Sequence, residues 1–154
     1  MSHFLGTHEN RRDVKGRVSV PAPFRAALRA LAEDGQPALV LRRSHKLPCI
    51  EGWPGRIFGE LASRLDRLDL FGEDHDDLAQ ALYADAFPVE SDKEGRIVLP
   101  DDLVQHAGLG DAVVFMGLGR TFQIWEPAAA RRRQDEARER ARTRALTLPG
   151  ATAP

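Results

Sequence analysis

The feature that most limits what this chain can become is an internal repeat. Shifted by 79 residues, Asp13, Gly16, Arg17 and Pro21 coincide with Asp92, Gly95, Arg96 and Pro100. Val18, Val20 and Phe24 keep their apolar character as Ile97, Leu99 and Leu103. Average residue usage leaves about one identity in a window of this length, and repeated sequence means repeated structure, so the segments are two copies of one unit.

The order of elements downstream is the same for both copies. After the first come a strand-like Leu39-Val40-Leu41, then Cys49 to Trp53 with Pro54 opening a helix. After the second come Val113 to Met116, then Phe122 to Trp125 with Pro127 opening a helix. Within each copy, Asp-x-x-Gly is turn chemistry: the aspartate bonds the backbone just downstream and the glycine tolerates positive φ. Arg17 to Val20 and Arg96 to Leu99 alternate polar and apolar, as half-buried strands do. Pro21 and Pro100 end those strands and stand at the start of short helices. Phe24, Leu28 and Leu31 form one apolar face of the first helix, and Gly108 is a plausible stop for the second.

Between the units, Ile57, Leu61, Leu65 and Leu68 recur at helical spacing, which predicts an amphipathic helix over 54–70, with an acidic helix over 75–86 after it. Phe87 to Glu90 then re-enters a sheet. Gly117-Leu118-Gly119-Arg120 reads as a hairpin turn, since it lacks the third glycine and the lysine of a phosphate loop. Residues 127–146 are rich in Ala, Arg and Glu without an apolar stripe, so a solvated helix is expected, with a frayed tail over 147–154.

A net charge of −1 conceals a strong pattern. Basic and acidic residues number 9 against 4 over residues 1–50, 5 against 14 over 51–110, and 8 against 5 over 111–154. A polyanion responds to such local clusters rather than to the total. With 42% hydrophobic residues the chain has material for a core, and no apolar run approaches the roughly 18 residues that a membrane span needs. Lone Cys49 is read as a small buried hydrophobe. The start, Met1-Ser2-His3-Phe4, lacks a signal-peptide core, and a soluble cytoplasmic protein is expected.

The stretch Phe4-Leu5-Gly6, the run from Asp13 to Arg25, the second motif from Asp92 to Pro100 and Ile124-Trp125 together resemble the MraZ family over roughly residues 1–145. The resemblance implies an α+β fold of two tandem AbrB-like swapped-hairpin units that form a small pseudo-symmetric β-barrel flanked by helices. The expected division is 1–54 for the first unit, 55–86 for a helical connector, 87–127 for the second unit and 128–154 for a polar helix and tail. It further implies a transcriptional regulator, usually a repressor, that binds repeated guanine-rich boxes upstream of the division and cell wall gene cluster and often of its own gene. The implied partners are double-stranded DNA in the nucleoid and further copies of the chain in a ring. Two residues depart from the family's habit of an apolar residue before each aspartate: Arg12 and Ser91.

On chemical grounds, an arginine leaving a turn into a strand suits a β-ribbon that enters the major groove, where it matches O6 and N7 of guanine. Arg17 and Arg96 are the candidates. Arg11, Arg12 and Lys15 suit phosphates, which position a protein without specifying sequence. Asp13, Gly16, Pro21, Asp92, Gly95 and Pro100 carry the motif's shape. The alternative is that each Asp–Arg pair is only a structural brace, and Glu90, Asp92, Glu94, Asp101 and Asp102 around Arg96 make that alternative stronger in the second unit. Arg131-Arg132-Arg133 is a further basic run, better read as part of a solvated face.

No metal, cofactor or small-molecule substrate is expected, because the five histidines show no ligand spacing and Asp74-His75-Asp76-Asp77 fits the acidic first turn of a helix. An enzyme is not expected, for want of a nucleophile, base and orienting group at credible spacing. A competing reading is an AbrB-like interaction module such as an antitoxin, with residues 127–154 folding on a partner protein.

Overall fold

In a computed structural model, which describes residues 3–150, the two copies of the repeat pair with each other. Strand β2 (Arg17–Ser19) and strand β6 (Arg96–Val98) form a separate antiparallel ribbon, in the register Arg17 to Val98, Val18 to Ile97 and Ser19 to Arg96. Val18 thus faces its own counterpart in the other copy, so a pseudo-two-fold axis passes through that pair. Both strands are short because Pro21 and Pro100 come almost at once and open the helices α1 (Ala22–Ala30) and α4 (Asp101–Ala107).

The second sheet repeats this symmetry on a larger scale. It contains β1 (Thr7–Arg11), β3 (Leu39–Arg43), β4 (Ile50–Pro54), β5 (Ala86–Val89), β7 (Ala112–Gly117) and β8 (Phe122–Trp125), all antiparallel, in the order β1-β7-β8-β4-β3-β5. Val40 pairs with Trp53 and Val114 with Trp125, which makes Glu51 and Gln123 counterparts; they face each other across β4 and β8. The leading strand of each unit crosses over, β1 bonding to β7 of the second unit and β5 to β3 of the first. At the centre, Gly52 is required by packing, because a Cβ there would lie 2.3 Å from Cζ of Phe122.

Alternation sorts the sheet residues onto two faces. Leu39, Leu41, Ile50, Val113, Phe115, Phe122 and Ile124 point inward and meet Val18, Val20, Ile97 and Leu99 of the ribbon, Phe24 of α1 and Leu103 of α4. Phe24 is fully buried, with ring centroids of Phe4 and Phe122 both 5.2 Å away; at that depth, truncation to Ala costs about 3–5 kcal/mol. On the outer face, Val114, Met116 and Trp125 are covered by Ala130 of α5 (Pro127–Thr143). Trp53 meets Phe58 of α2 (Gly55–Leu65) edge to face, and Phe58 meets Tyr83 in the same way.

The α+β class is as expected. The six-stranded sheet, however, is not closed into a barrel: β1 and β5 are its two open edges, and the three-residue strands β2 and β6 bond to each other instead of sealing it. Pro88 sits in edge strand β5, where a missing donor is tolerated. The expected helix over 54–70 stops at Leu65, where the last turn tightens and Asp69 accepts the Phe71 N–H at 3.2 Å to start a turn. The acidic helix begins earlier than expected, as α3 (Glu73–Ala79), and continues as a π-helical turn (Gln80–Ala84) before β5. The hairpin turn and the solvated last helix fall where the sequence puts them.

Candidate nucleic-acid interface

Each repeat builds the same small device. Asp13 Oδ1 accepts the backbone N–H groups of Lys15 (2.9 Å) and Arg17 (2.8 Å), while Oδ2 accepts Nε of Arg17 at 2.7 Å. Gly16, at φ +78°, donates its N–H back to the Asp13 carbonyl at 2.9 Å. In the second repeat Asp92 accepts from Glu94 (3.0 Å) and Arg96 (2.9 Å), and Nε of Arg96 lies 2.8 Å from Oδ2. Gly95 has the same φ of +78°. One carboxylate therefore shapes the turn and holds the arginine that leaves it. The Arg17 N–H, its guanidinium and the Lys15 N–H hold the Asp13 carboxyl below the usual carboxylate range, and the equivalent donors do so for Asp92.

Because the brace uses Nε, it leaves the two terminal nitrogens of the guanidinium for other work. Here the repeats diverge. Among the described residues, Asp13 is the carboxylate within ion-pair distance of Arg17. Arg96 has three: Asp92, then Glu94 at 3.3 Å from Nη2, then Asp13 at 4.0 Å from Nη1. The side chains are equally accessible, at 30% and 29%, so the difference is one of charge and not of burial. Val98, opposite Arg17 in the ribbon, is 57% exposed.

The other expected cations are placed differently from one another. Arg11 is exposed at the end of β1 and Lys15 is exposed in the first turn. Arg12 faces the protein. Its N–H donates to the Asp111 carbonyl at 2.7 Å and Nη1 to the Gly110 carbonyl at 3.1 Å, which ties the first turn to the loop ahead of β7. On α5, Arg131 and Arg132 are exposed and Arg133 is half-buried; the helix is capped by Glu126, which accepts the N–H groups of Ala128 and Ala129. Those two donors hold the Glu126 carboxyl below its ordinary value. Cys49 is buried and its thiol is pushed up to about 12 by desolvation and the nearby Glu51, which leaves it a packing residue.

Two arginines matter that the motif itself does not point to. Arg25 of α1 donates Nη1 to the Val20 carbonyl at 2.6 Å, and its stem packs under the second turn so closely that a Cβ on Gly95 would lie 2.5 Å from Cδ. Arg42 is 1% exposed, paired with Glu51 and bonded at 2.8 Å to the Ala81 carbonyl in the π-helical turn. The sequence does carry a signal for Arg42: a cation two positions from Val40 on the outer face of a strand that starts Leu39-Val40-Leu41, with Glu51 opposite on the facing strand.

Two tandem units that brace an arginine beside a turn and lay both arginines on one short ribbon define a two-repeat α+β protein whose first turn is cationic. Residues 82–147 match the family model described as "MraZ protein, putative antitoxin-like". Transcriptional regulator MraZ of Gluconacetobacter diazotrophicus is 63% identical over 150 residues, covering 97% of this chain and 95% of the relative. The protein of that name from Gluconobacter oxydans is 61% identical over 154 residues, covering 100% and 94%. That of Xanthobacter autotrophicus is 39% identical over 142 residues, covering 92% and 88%. The chain belongs to the MraZ family.

Proposed function

We propose that this chain is a sequence-specific DNA-binding transcriptional regulator that acts without catalysis. The observation that carries the reading is Arg17: Nε is fixed to Asp13, the terminal nitrogens have no second carboxylate among the described residues, and the side chain is part-exposed on a ribbon whose alternate residues are buried. A guanidinium fixed in this way loses little entropy when it forms a bidentate pair with guanine, worth about 1–3 kcal/mol of discrimination. Beside it, Val98 offers the kind of apolar surface that meets a thymine methyl group. Arg11 and Lys15 supply phosphate contacts, and Arg12 contributes by fixing the turn. Arg96, with its carboxylates, is the weaker reader.

In the same proposal the units 1–54 and 87–127 act as interleaved swapped-hairpin halves that present one DNA-facing surface, with 55–86 and 128–154 as supports. Further copies join in a ring. The regulator works in the cytoplasm at the nucleoid, as a repressor at repeated guanine-rich boxes ahead of the division and cell wall gene cluster and its own gene. The names of the relatives support the regulatory role, and among the described residues no helix is long and apolar enough to cross a membrane. The antitoxin alternative draws on the family description, but it needs the last segment to await a partner. Instead α5 is capped by Glu126 and held by the buried Ala130 and by a 2.8 Å bond from Gln134 to Thr7.

The test is a salt-varied gel shift on the DNA upstream of the chain's own gene, with wild type, Arg17→Ala and Arg96→Ala. Guanine-dependent binding that weakens steeply with salt is expected for wild type, with the larger loss in Arg17→Ala. A wild-type protein indifferent to guanine substitution would overturn the reading. Light scattering checks the ring.

A further inference from the structure

The pseudo-symmetry marks a place where the second unit lacks something the first has. In the first unit, Arg12 fills the space between its turn and the chain beyond α4, with its guanidinium on the Gly110 carbonyl. Its counterpart 79 residues later is Ser91, too small to fill the matching space. The connecting chain there is also longer: eight residues separate α1 from β3, but only four separate α4 from β7. The result is an open cleft of about 360 Å³ between α1 and the second turn, lined by Ser91 among others. That volume lies within the range of small-molecule sites, roughly 300–1,000 Å³.

Its chemistry is amphipathic. Val20, Leu28, Leu39 and Ile97 form an apolar floor, and all but Leu28 are buried. Arg25, Arg29 and Lys93 line the polar side. Among the described residues none of the three has a carboxylate within ion-pair distance, and Arg25 donates to one backbone carbonyl. The two carboxylates of the lining, Asp92 and Glu94, are both engaged with Arg96. The free charge of the cleft is therefore positive. In the other unit the counterparts of Arg25 and Arg29 are Val104 and Gly108, so the cations belong to this cleft alone.

We propose that this cleft is a binding site for a small carboxylate with an apolar body, the chain lying on the Val20–Ile97 floor and the head group meeting Arg25, Arg29 and Lys93. The site does not depend on the DNA-binding reading. A ligand seated there touches Gly95 and the Asp92 turn, and so reaches the element that holds Arg96.

The experiment is calorimetric titration of the full chain with octanoate, with octanol and octylamine as neutral and cationic controls. Saturable octanoate binding is expected that neither control matches. Arg29→Glu should weaken it roughly ten-fold or more, as loss of a charge-assisted contact implies. Ser91→Trp, which fills the counterpart of the space that Arg12 fills in the first unit without adding a cation, should abolish it, and Ala32→Trp should block it independently; a thermal melt of each variant verifies folding. The proposal falls if wild type does not bind octanoate, if octanol or octylamine binds as well, or if folded Ser91→Trp and Ala32→Trp bind like wild type. It also falls if those variants lower the particle mass in light scattering, because the cleft is then filled by a neighbouring copy.

Discussion

The first turn, Asp13 to Arg17, and the second, Asp92 to Arg96, share every backbone and carboxylate bond that defines them, yet they differ in what surrounds them. The first places Val14 and Lys15 at its tip, and Arg17 answers to one carboxylate. The second places Lys93 and Glu94 there, and Arg96 answers to three. Beneath the first, the nearest atom to a Cβ on Gly16 would be Nη2 of Arg12 at 4.0 Å; beneath the second, Arg25 is already in contact with Gly95. The turn geometry is thus a property of five residues, whereas the chemistry it displays is set by the neighbours.

The largest difference is expected in stability. Alanine at Gly95 incurs the positive-φ strain and also pushes the flexible Arg25 side chain off its bond to the Val20 carbonyl, a total of about 2–3 kcal/mol, whereas Gly16→Ala incurs the strain alone, about 1–2 kcal/mol. Urea unfolding of the two variants measures the gap, and equal losses would erase the distinction between the turns. Next comes DNA affinity. Arg17→Ala should cost about 1–3 kcal/mol on guanine-rich duplex, and Arg96→Ala clearly less; equal losses with intact assembly would end the proposed division of labour. Smaller still is the effect of making the second tip resemble the first. Glu94→Lys should free Nη2 of Arg96, which Asp92 still holds by Nε, and steepen the log–log salt dependence by about one phosphate contact, which a titration at several salt concentrations reads.

The mildest expectation concerns acid. Asp13 and Asp92 both titrate below their ordinary value of 3.8 in the folded chain. The stability they lend is present above the unfolded carboxylate value near pH 4, and it fades as pH falls through the lower folded value. Asp13→Asn and Asp92→Asn should each flatten the acid limb of a stability profile, leaving its shape near neutrality unchanged. A variant with an unaltered acid limb would mean that its turn does not gain from the charge.

Much of this architecture was legible because duplication leaves a register mark. The offset located both turns, both short strands and the prolines that end them. β1 and its partner were not legible: Thr7-His8-Glu9-Asn10-Arg11 is polar throughout and offers no apolar alternation, and nothing in it says that it bonds to β7 across the molecule. Closure into a barrel depended on the same unseen pairing. For the site, the residue types of Arg17 and Lys15 were informative, since turn tips are exposed. Arg12 looked equivalent to Arg11 in sequence and is not, because successive residues past a strand end point to different environments. Arg25 was hidden by lying on a helix whose apolar face drew attention to Phe24 and Leu28.

The axis that passes between Glu51 and Gln123 has a consequence for ancestry and engineering. In a dimer of identical chains, whatever stands on a two-fold axis meets itself, so Glu51 would confront a second glutamate with no room for choice. Joining the halves in one polypeptide abolishes that obligation. Both still accept an indole N–H, Glu51 from Trp53 at 3.0 Å and Gln123 from Trp125 at 2.8 Å, but Glu51 alone also pairs with Arg42, and each half mutates without its twin being changed in step. The linkage thereby works as a licence to diverge: two descendants of one hairpin become unlike partners that never have to find each other in solution.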